Sequence, residues 1–276
     1  MKNISYTAHK SGKEQGFTLI EAMVSLTIGL FIVLLVSVIY TASLQTLKFR
    51  QGQSENLGNS RYTLDTLGLE FAKAGYRRDP TKDLLEAFPA DATAENGCQF
   101  AAGQSIYVDA RGALCIRYHL RDAQERNCVG QSGNIADVKP YKQAEDLSDR
   151  KGMFVEKYFI DGDRLRCQAG TEVVDLADGV RGIHFAFGVG KFSADRNKER
   201  KIDAFVTTLP STKEAIRALR YSVLLVRSQP NVTGGVESSI CTRWAKATGN
   251  QTACSANDGR LYQIASKALT LRNQMP

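Results

Sequence analysis

The sequence predicts an α+β protein in which one long N-terminal helix precedes a head of short antiparallel strands. Two observations predict this arrangement. A segment without a charged residue runs from Ala22 to Leu47, and after Tyr76 the chain breaks into short runs of alternating apolar and polar residues. We therefore expect the head to comprise residues 77–276 and the helix to comprise residues 17–76.

The uncharged segment is long enough to cross a membrane as a helix. Its densest part, Ala22–Tyr40, has only three polar side chains, those of Ser25, Thr27 and Ser37. A helix of this length spans roughly 28 Å, close to the hydrocarbon thickness of a bilayer. Glu21 stands at its start, where a carboxylate near the bilayer core costs about 2.5–3.5 kcal/mol. Such an acid is normally paired or functional.

The helix is predicted to continue beyond the apolar segment. The first proline after it is Pro80, and Gly75 is placed to end the helix. Residues 17–47 would form the membrane half, and residues 48–76 would pack on the head. Glycines in the second half weaken it by about 1 kcal/mol each and favour a bend or break near Gly52. An apolar stripe at helical spacing marks the face expected to be buried: Leu44, Leu47, Leu57, Leu64, Leu67, Phe71 and Ala74.

The head is predicted to consist of short strands joined by turns and polar loops. Asp161-Gly162 lies between two apolar runs, as in a β-hairpin. A short helical turn is expected at residues 84–88, and Ser211 with Glu214 is a candidate cap for another. Residues 129–150 and 189–212 are expected to be surface loops. The strand-like segments are 105–108, 113–119, 153–160, 164–167, 182–188, 218–226 and 265–272.

Six cysteines all lie beyond the apolar segment, and none forms a Cys-x-x-Cys motif. An even number in this position suggests disulfides in an oxidising compartment, so the head is expected outside the cytoplasm. The sequence does not settle their pairing. Proximity along the chain and the hairpin layout favour Cys98–Cys115, Cys128–Cys167 and Cys241–Cys254. The last pair would close a surface loop that contains Trp244, Gly249 and Asn250.

No motif in the chain predicts catalysis, a cofactor or a metal site. His119 and His184 stand alone on strand-like segments, where a packed or exposed role is expected before metal binding. Asp161 and Asp163 are better explained by a turn than by calcium. The net charge of +7 is scattered among acids, with no basic run interleaved with aromatic residues. A nucleic-acid partner is therefore not expected, and neither is an enzyme.

The hexapeptide Gly16-Phe17-Thr18-Leu19-Ile20-Glu21, followed by the apolar segment, resembles the N-terminus of type IV prepilins. The resemblance implies that residues 1–16 are a leader. It also implies that a prepilin peptidase at the inner membrane cuts between Gly16 and Phe17 and methylates the new amino group of Phe17. Glu21 would then pair with the Phe17 ammonium group of a neighbouring subunit during assembly. The alternative is that Glu21 only reaches water at the headgroups.

The resemblance extends to the head, which is similar to the large minor pilins called PilW and to the related J-type pseudopilins of type II secretion. It implies the type IV pilin fold, with the helix lying across an antiparallel sheet. It also implies a single-pass inner-membrane chain whose periplasmic head enters a filament at the cell surface. The segments that carry it are Gly97-Cys98-Gln99-Phe100, Cys115-Ile116-Arg117-Tyr118, Leu165-Arg166-Cys167 and Asp178-Gly179-Val180.

Three functions stay open at this point. The first is a minor pilin in the initiation or tip complex of a type IV pilus, with other minor pilins and the major pilin as partners. The second is a pseudopilin of type II secretion. The third is a membrane-anchored periplasmic binding module that never polymerises. A secretory signal cut at Thr41-Ala42-Ser43 is a weaker explanation of the N-terminus, because the apolar segment is long for a signal.

Overall fold

The computed structural model of the chain describes residues 16–92, 96–133, 152–191, 201–210, 214–227, 233, 239–250, 252–255 and 257–275. The chain divides into two compact units, Met1–Lys48 and Phe49–Pro276. The first contains the apolar segment, and the second contains the head together with the later part of the long helix.

The described elements follow one another in a simple order. Helix α1 spans Leu19–Ala72, α2 spans Leu84–Ala87 and α3 spans Ser239–Thr248, with a final 3₁₀ turn at Arg272–Gln274. The strands are β1 Ile106–Val108, β2 Leu114–His119, β3 Met153–Asp161, β4 Arg164–Ala169, β5 Glu172–Asp178, β6 Val180–Lys191, β7 Ala204–Val206, β8 Glu214–Val226 and β9 Tyr262–Thr270.

Helix α1 is continuous, so the break expected near Gly52 is wrong. Gly52 is buried, and a Cβ atom there would lie 2.8 Å from the Arg227 guanidinium and 3.3 Å from the Leu261 side chain. The glycine therefore permits close packing rather than a bend. The helix ends at Ala72, just before Gly75, which has φ +72°. The end of the helix is thus close to its predicted position.

The buried face of α1 differs from the predicted apolar stripe. Leu67, Phe71 and Ala74 are fully buried, as expected, but Leu57 is 45% exposed. Small and polar residues take its place on the buried face: Gly52, Asn56, Ser60 and Thr63. The Asn56 amide donates to the Leu261 carbonyl (3.1 Å) and the Ser60 hydroxyl to the Leu57 carbonyl (2.8 Å), whereas the buried Thr63 hydroxyl has no hydrogen-bond partner among the described residues. Small side chains let the helix approach the strands closely.

Two antiparallel sheets form the head. The first has the order β1-β2-β3-β4-β5 and the second has the order β7-β6-β8-β9. The predicted hairpin at Asp161-Gly162 is confirmed, with Asp161 opposite Arg164 and φ +62° at Gly162. The predicted helical turn at Ser211 and Glu214 is wrong at Glu214, which pairs with Lys191 in the β6–β8 ladder. Ser211 lies outside the described residues.

Other loop predictions had mixed outcomes. The segment 189–212 contains the end of β6 and the short strand β7, so it is not wholly a loop. Strand β5 was missed altogether. Of the segment 129–150, residues 134–150 lie outside the described residues. The short helical turn expected at residues 84–88 is α2, capped by the Asp83 carboxylate, which accepts from the Glu86 N–H (2.8 Å).

Phe71 of α1 lies where both sheets meet. Its ring centroid is 5.2 Å from those of Tyr158 on β3 and Tyr221 on β8, and 6.0 Å from that of Phe185 on β6. The edge-to-face geometry of these pairs adds to the energy of burying four large rings. The predicted α+β fold, a long N-terminal apolar helix whose later half packs on antiparallel strands, is confirmed.

A second, smaller core lies beneath α3. Trp244 is 2% exposed and packs with Leu224, Val226 and Tyr262. Gly182 on β6 makes room for it, because a Cβ atom there would lie 2.7 Å from the indole ring. The expected surface loop between Cys241 and Cys254 is therefore wrong for Trp244. Cys241 and Trp244 are three residues apart and share the buried face of a helix.

Candidate functional site

The predicted processing segment lies immediately before the first turn of α1. Gly16 and Phe17 are exposed, and no atom lies within 4 Å of the position of a Cβ at Gly16. Thr18 caps the helix: its Oγ1 accepts from the Glu21 N–H (3.3 Å), and its hydroxyl donates to the Glu21 carboxylate (3.3 Å). This arrangement resembles a capping box. The Gly16–Phe17 bond is thus exposed and precedes the helix.

Glu21 occupies the first turn of α1 and is exposed. A carboxylate at this position is favoured by the partial positive charge of the helix N-terminus. Its one described side-chain partner is the Thr18 hydroxyl, and a cation is absent from its surroundings in the described residues.

The first part of α1 exposes apolar side chains on all its sides, including Leu26, Phe31 and Leu35. Its few polar side chains bond back to the helix itself. The Ser25 hydroxyl donates to the Glu21 carbonyl (2.7 Å) and the Ser37 hydroxyl to the Val33 carbonyl (2.7 Å). The helix is long and apolar enough to cross a membrane. It offers lipid, or the apolar helices of partners, a surface without unsatisfied polar groups.

All six cysteines form disulfides in the described structure, joined in the three pairs that chain proximity favours. Their Cα–Cα distances are 6.0, 6.2 and 5.3 Å. The first links β2 to the loop before β1, the second links the loop after β2 to β4, and the third links the first turn of α3 to the segment that follows the helix. Cys128 and Cys167 lie beside Glu156. Because their sulfurs are joined to each other, they do not form an open metal site.

A buried carboxylate, Glu156 on β3, was missed by the sequence analysis. One of its oxygens accepts from the Tyr118 hydroxyl (2.8 Å) and from the Cys128 N–H (2.8 Å). The other lies 2.5 Å from the Tyr158 hydroxyl oxygen, which is also 3.2 Å from Glu70 of α1. Burial raises the pKa of Glu156, as does the nearby Glu70 carboxylate, against the opposing effect of Lys73.

The alternation of side chains along β3 could have predicted that Glu156 is buried. It lies in phase with Tyr158 and Ile160 along β3, on the face that packs into the core. The resulting cluster connects α1, β2, β3 and the Cys128 disulfide. Its hydroxyls and carboxylates are bonded to each other inside the head, so the arrangement serves to hold elements together rather than to act on a substrate.

Three of the four histidines and aspartates considered as metal ligands have other partners. His119 is buried: its Nδ1 accepts from the Arg78 N–H (3.3 Å), and its Nε2 lies 3.0 Å from the Ala87 carbonyl. Burial lowers the pKa of His119 to about 4, so the ring is neutral at pH 7. Burial also lowers the pKa of the half-buried His184. Asp161 pairs with Arg166 (2.7 Å), and Asp163 lies 3.3 Å from both Arg181 and Arg260.

A cleft of about 460 Å³ lies between α2, the loop before β1 and the start of β8. Leu84, Ile106 and Ile216 give it an apolar lining, and Arg77 and Arg217 add charge. Both guanidiniums are engaged with main-chain carbonyls, those of Lys82 and Lys191 among them. The cleft does not bring together a nucleophile and a base in the described part of the chain.

The comparison with protein families matches residues 11–37 to the prokaryotic N-terminal methylation motif. This match covers the cleavage position, Glu21 and much of the apolar segment. The chain therefore carries the methylation motif of type IV prepilins. No curated protein sequence matches the chain.

Two solved structures resemble the chain distantly. A type IV-like pilin from Thermus thermophilus is 14% identical with a TM-score of 0.36, over 80% of this chain and 98% of that one. A chain of the GspK-GspI-GspJ complex of the type 2 secretion system from enterotoxigenic Escherichia coli is 10% identical with a TM-score of 0.30, over 76% and 96%. Similarity at this level indicates nothing about function on its own.

Proposed function

We propose that this chain is a minor pilin, of the PilW-like kind, that takes part in the assembly of a type IV pilus. A prepilin peptidase removes residues 1–16 and methylates Phe17. The apolar part of α1 anchors the subunit in the inner membrane and later enters the filament core, while the head lies in the periplasm. The observation that carries this proposal is the methylation motif at residues 11–37, which includes the capped start of α1 and much of its exposed apolar part.

The chemistry of the N-terminus supports assembly rather than simple anchoring. Cleavage leaves a methylated ammonium group at Phe17, four residues before Glu21 in the first turn of α1. A carboxylate among packed apolar helices is costly unless a cation neutralises it. Glu21 has no such cation among the described residues of its own chain. The ammonium group of an adjacent subunit, which carries the opposite charge at the same depth, is the natural partner.

The head supports a structural role. Its buried polar groups, Glu156 and the two tyrosines, join helix and strands, and three disulfides close its loops. Such a head is suited to persist outside the cytoplasm and to contact other subunits. A place in the initiation or tip complex would account for a large head with several exposed loops on a pilin-type helix.

Mass spectrometry of the mature chain tests the proposal most directly. The expected N-terminus is methyl-Phe17 in membranes of the native cell. An intact Met1 or an N-terminus near Ala42 would instead support the anchored binding module. Deletion of the gene then distinguishes a role in the type IV pilus from one in type II secretion. Loss of surface pili supports the minor pilin, whereas loss of type II secretion with normal pili supports the pseudopilin.

A further inference from the structure

The two sheets have four terminal strands, and three of them are poor templates for a further strand. β1 and β7 have three residues each. β5 carries a bulge opposite Leu165 and Arg166, and its Asp175 binds Arg164 (2.8 Å) and Arg166 (2.7 Å) across the ladder. Short length, bulges and charges are the usual protection of an exposed sheet edge against unwanted pairing.

β9 lacks two of these protections, because it is neither short nor bulged. It has nine residues, Tyr262–Thr270, and it pairs with β8 in one register without a bulge. Its single charged residue is Lys267, whose ammonium group lies 2.7 Å from the Asp65 carboxylate of α1. This ion pair holds the charge of Lys267 on the helix side of the sheet. A long and regular edge whose one charge is paired within the chain is able to accept another strand.

The direction of the free main-chain groups follows from the ladder. The Arg227 N–H donates to the Leu261 carbonyl (3.1 Å), and the Leu271 N–H donates to the Arg217 carbonyl (2.8 Å). In an antiparallel ladder, hydrogen-bonded residue pairs alternate with pairs that are not hydrogen-bonded. Because Leu261 and Leu271 both bond to β8, the odd-numbered residues of β9 form the hydrogen bonds to β8. Even-numbered residues direct their N–H and C=O groups to the open edge. Among them Ser266, Ala268 and Thr270 are exposed, and among the described strands β8 alone is paired with β9.

We propose that the edge of β9 from Ser266 to Thr270 binds an extended, uncharged segment of a second, different pilin-type subunit by strand addition. This proposal rests on the proposed function for the source of the partner. The partner's chemistry follows from the edge itself: evenly spaced main-chain donors and acceptors are matched by another main chain. A partner strand with small, uncharged side chains suits the exposed Ser266 and Ala268.

A second copy of this chain is a poorer occupant. The later part of α1 and β9 run in the same direction, because Asn56, Asp65 and Ala72 contact Leu261, Lys267 and Asn273 in that order. Antiparallel pairing of β9 with itself would reverse one α1 relative to the other. Subunits inserted into the same membrane by their N-terminal helices share one helix direction, so this pairing does not suit them.

Site-specific photocrosslinking in the native cell tests the proposal. A photoreactive residue at Ser266 is expected to give an adduct with a different pilin-type subunit, identified by mass spectrometry at an extended segment. The matched control is the same residue at Val173, exposed on the protected edge strand β5. An adduct with a second copy, an equal adduct from Val173, or no adduct from Ser266 overturns the proposal.

A proline substitution in β9 provides a second test of the proposal. Ala268→Pro removes an N–H from the open edge while keeping the β8 ladder, whereas Ala268→Val keeps both. The proline variant should reduce the adduct from Ser266 roughly tenfold or more, and the valine variant should not. Equal yields in the two variants overturn the proposal. Methyl-Phe17 and an unchanged melting temperature in both show that processing and folding are intact, so failure here is distinct from failure of the proposed function.

Discussion

The Glu156 carboxylate lies 2.5 Å from the hydroxyl oxygen of Tyr158, and the same hydroxyl oxygen lies 3.2 Å from Glu70. Tyrosine has one hydroxyl hydrogen, which cannot serve both carboxylates at once. A proton on Glu156 would supply the second hydrogen bond. Burial and the Glu70 carboxylate raise the pKa of Glu156 above its ordinary value, so folding shifts this group toward its neutral form.

This cluster predicts a pH dependence of stability. Because the pKa of Glu156 is raised in the folded state, its contribution is full below its ordinary pKa of 4.5 and is lost as pH rises through the folded pKa. Glu156→Gln keeps an acceptor for Tyr118 and Cys128 and a donor for Tyr158, but it does not titrate. Melting temperatures measured across this range should fall less steeply with rising pH in the variant than in the parent chain.

The comparison with the parent chain isolates Glu156 from other titrating groups. His119 acts in the opposite sense, since its lowered pKa removes stability as pH falls from 6.5 to about 4. His119 is present in both the parent chain and the variant, so its contribution cancels when their melting temperatures are compared. Glu156→Ala is the destabilising control. It leaves the Tyr118 hydroxyl and the Cys128 N–H without an acceptor, which costs about 1–3 kcal/mol of folding stability for each group. Identical slopes in the glutamine variant and the parent would show that Glu156 is ionised in the folded head.

Sequence reasoning succeeds here where the signal is local. The methylation motif consists of contiguous residues, and the hairpin at Asp161-Gly162 depends on two adjacent residues. It failed where burial depends on distant neighbours. Ser60 and Thr63 were left out of the predicted buried stripe of α1 but are buried, whereas Leu57, which was included, is exposed.

The missed elements have similar explanations. Strand β5 has the sequence Glu-Val-Val-Asp-Leu-Ala-Asp, whose acids suggest a loop until they are paired with the arginines of β4. Helix α3 has few apolar residues, and its buried face depends on Trp244 fitting over Gly182 of β6. Neither neighbour can be inferred from the local sequence.

Processing should depend on Gly16. A peptidase that binds the exposed segment closely has room for hydrogen at this position, and a branched side chain would collide with it. Gly16→Val is expected to leave an uncut precursor that is 16 residues longer than the mature chain, visible by gel and mass spectrometry. Gly29→Val is the matched control, because Gly29 lies within the apolar helix with open space around it. Normal maturation of the Gly16 variant would remove the main support for a prepilin.

Glu21 should matter for assembly more than for insertion. Glu21→Gln keeps an acceptor for the Thr18 hydroxyl while removing the charge, so the helix cap survives. Membrane retention should be unchanged or improved, because a costly charge is gone. Incorporation into filaments, measured in sheared pili, should fall. Thr18→Ala is the control for the cap alone, with an expected cost of about 1 kcal/mol in helix stability. Full incorporation of the Glu21→Gln chain would show that the charge has no part in assembly.

The disulfides should differ in importance. The Cys128–Cys167 disulfide has a sequence separation of 39 residues and lies in the main core beside Glu156. The Cys241–Cys254 disulfide has a separation of 13 residues and joins the first turn of α3 to the segment after the helix. Loop closure alone gives about 4 and 3 kcal/mol for the two. The Cys128→Ser, Cys167→Ser chain should therefore lose most of its cooperative unfolding transition, because the Glu156 cluster is disturbed as well.

The fluorescence of Trp244 reports on the smaller of the two disulfide-closed loops, Cys241–Cys254. It is the one tryptophan of the chain and is buried against Gly182, so its fluorescence follows the docking of α3. In the Cys241→Ser, Cys254→Ser chain its emission should shift to longer wavelength while the main unfolding transition, followed by circular dichroism, stays cooperative. In the Cys128→Ser, Cys167→Ser chain both signals should change together. A cooperative transition lost in the Cys241 variant but kept in the Cys128 variant would reverse this order and assign the dominant role to the α3 core.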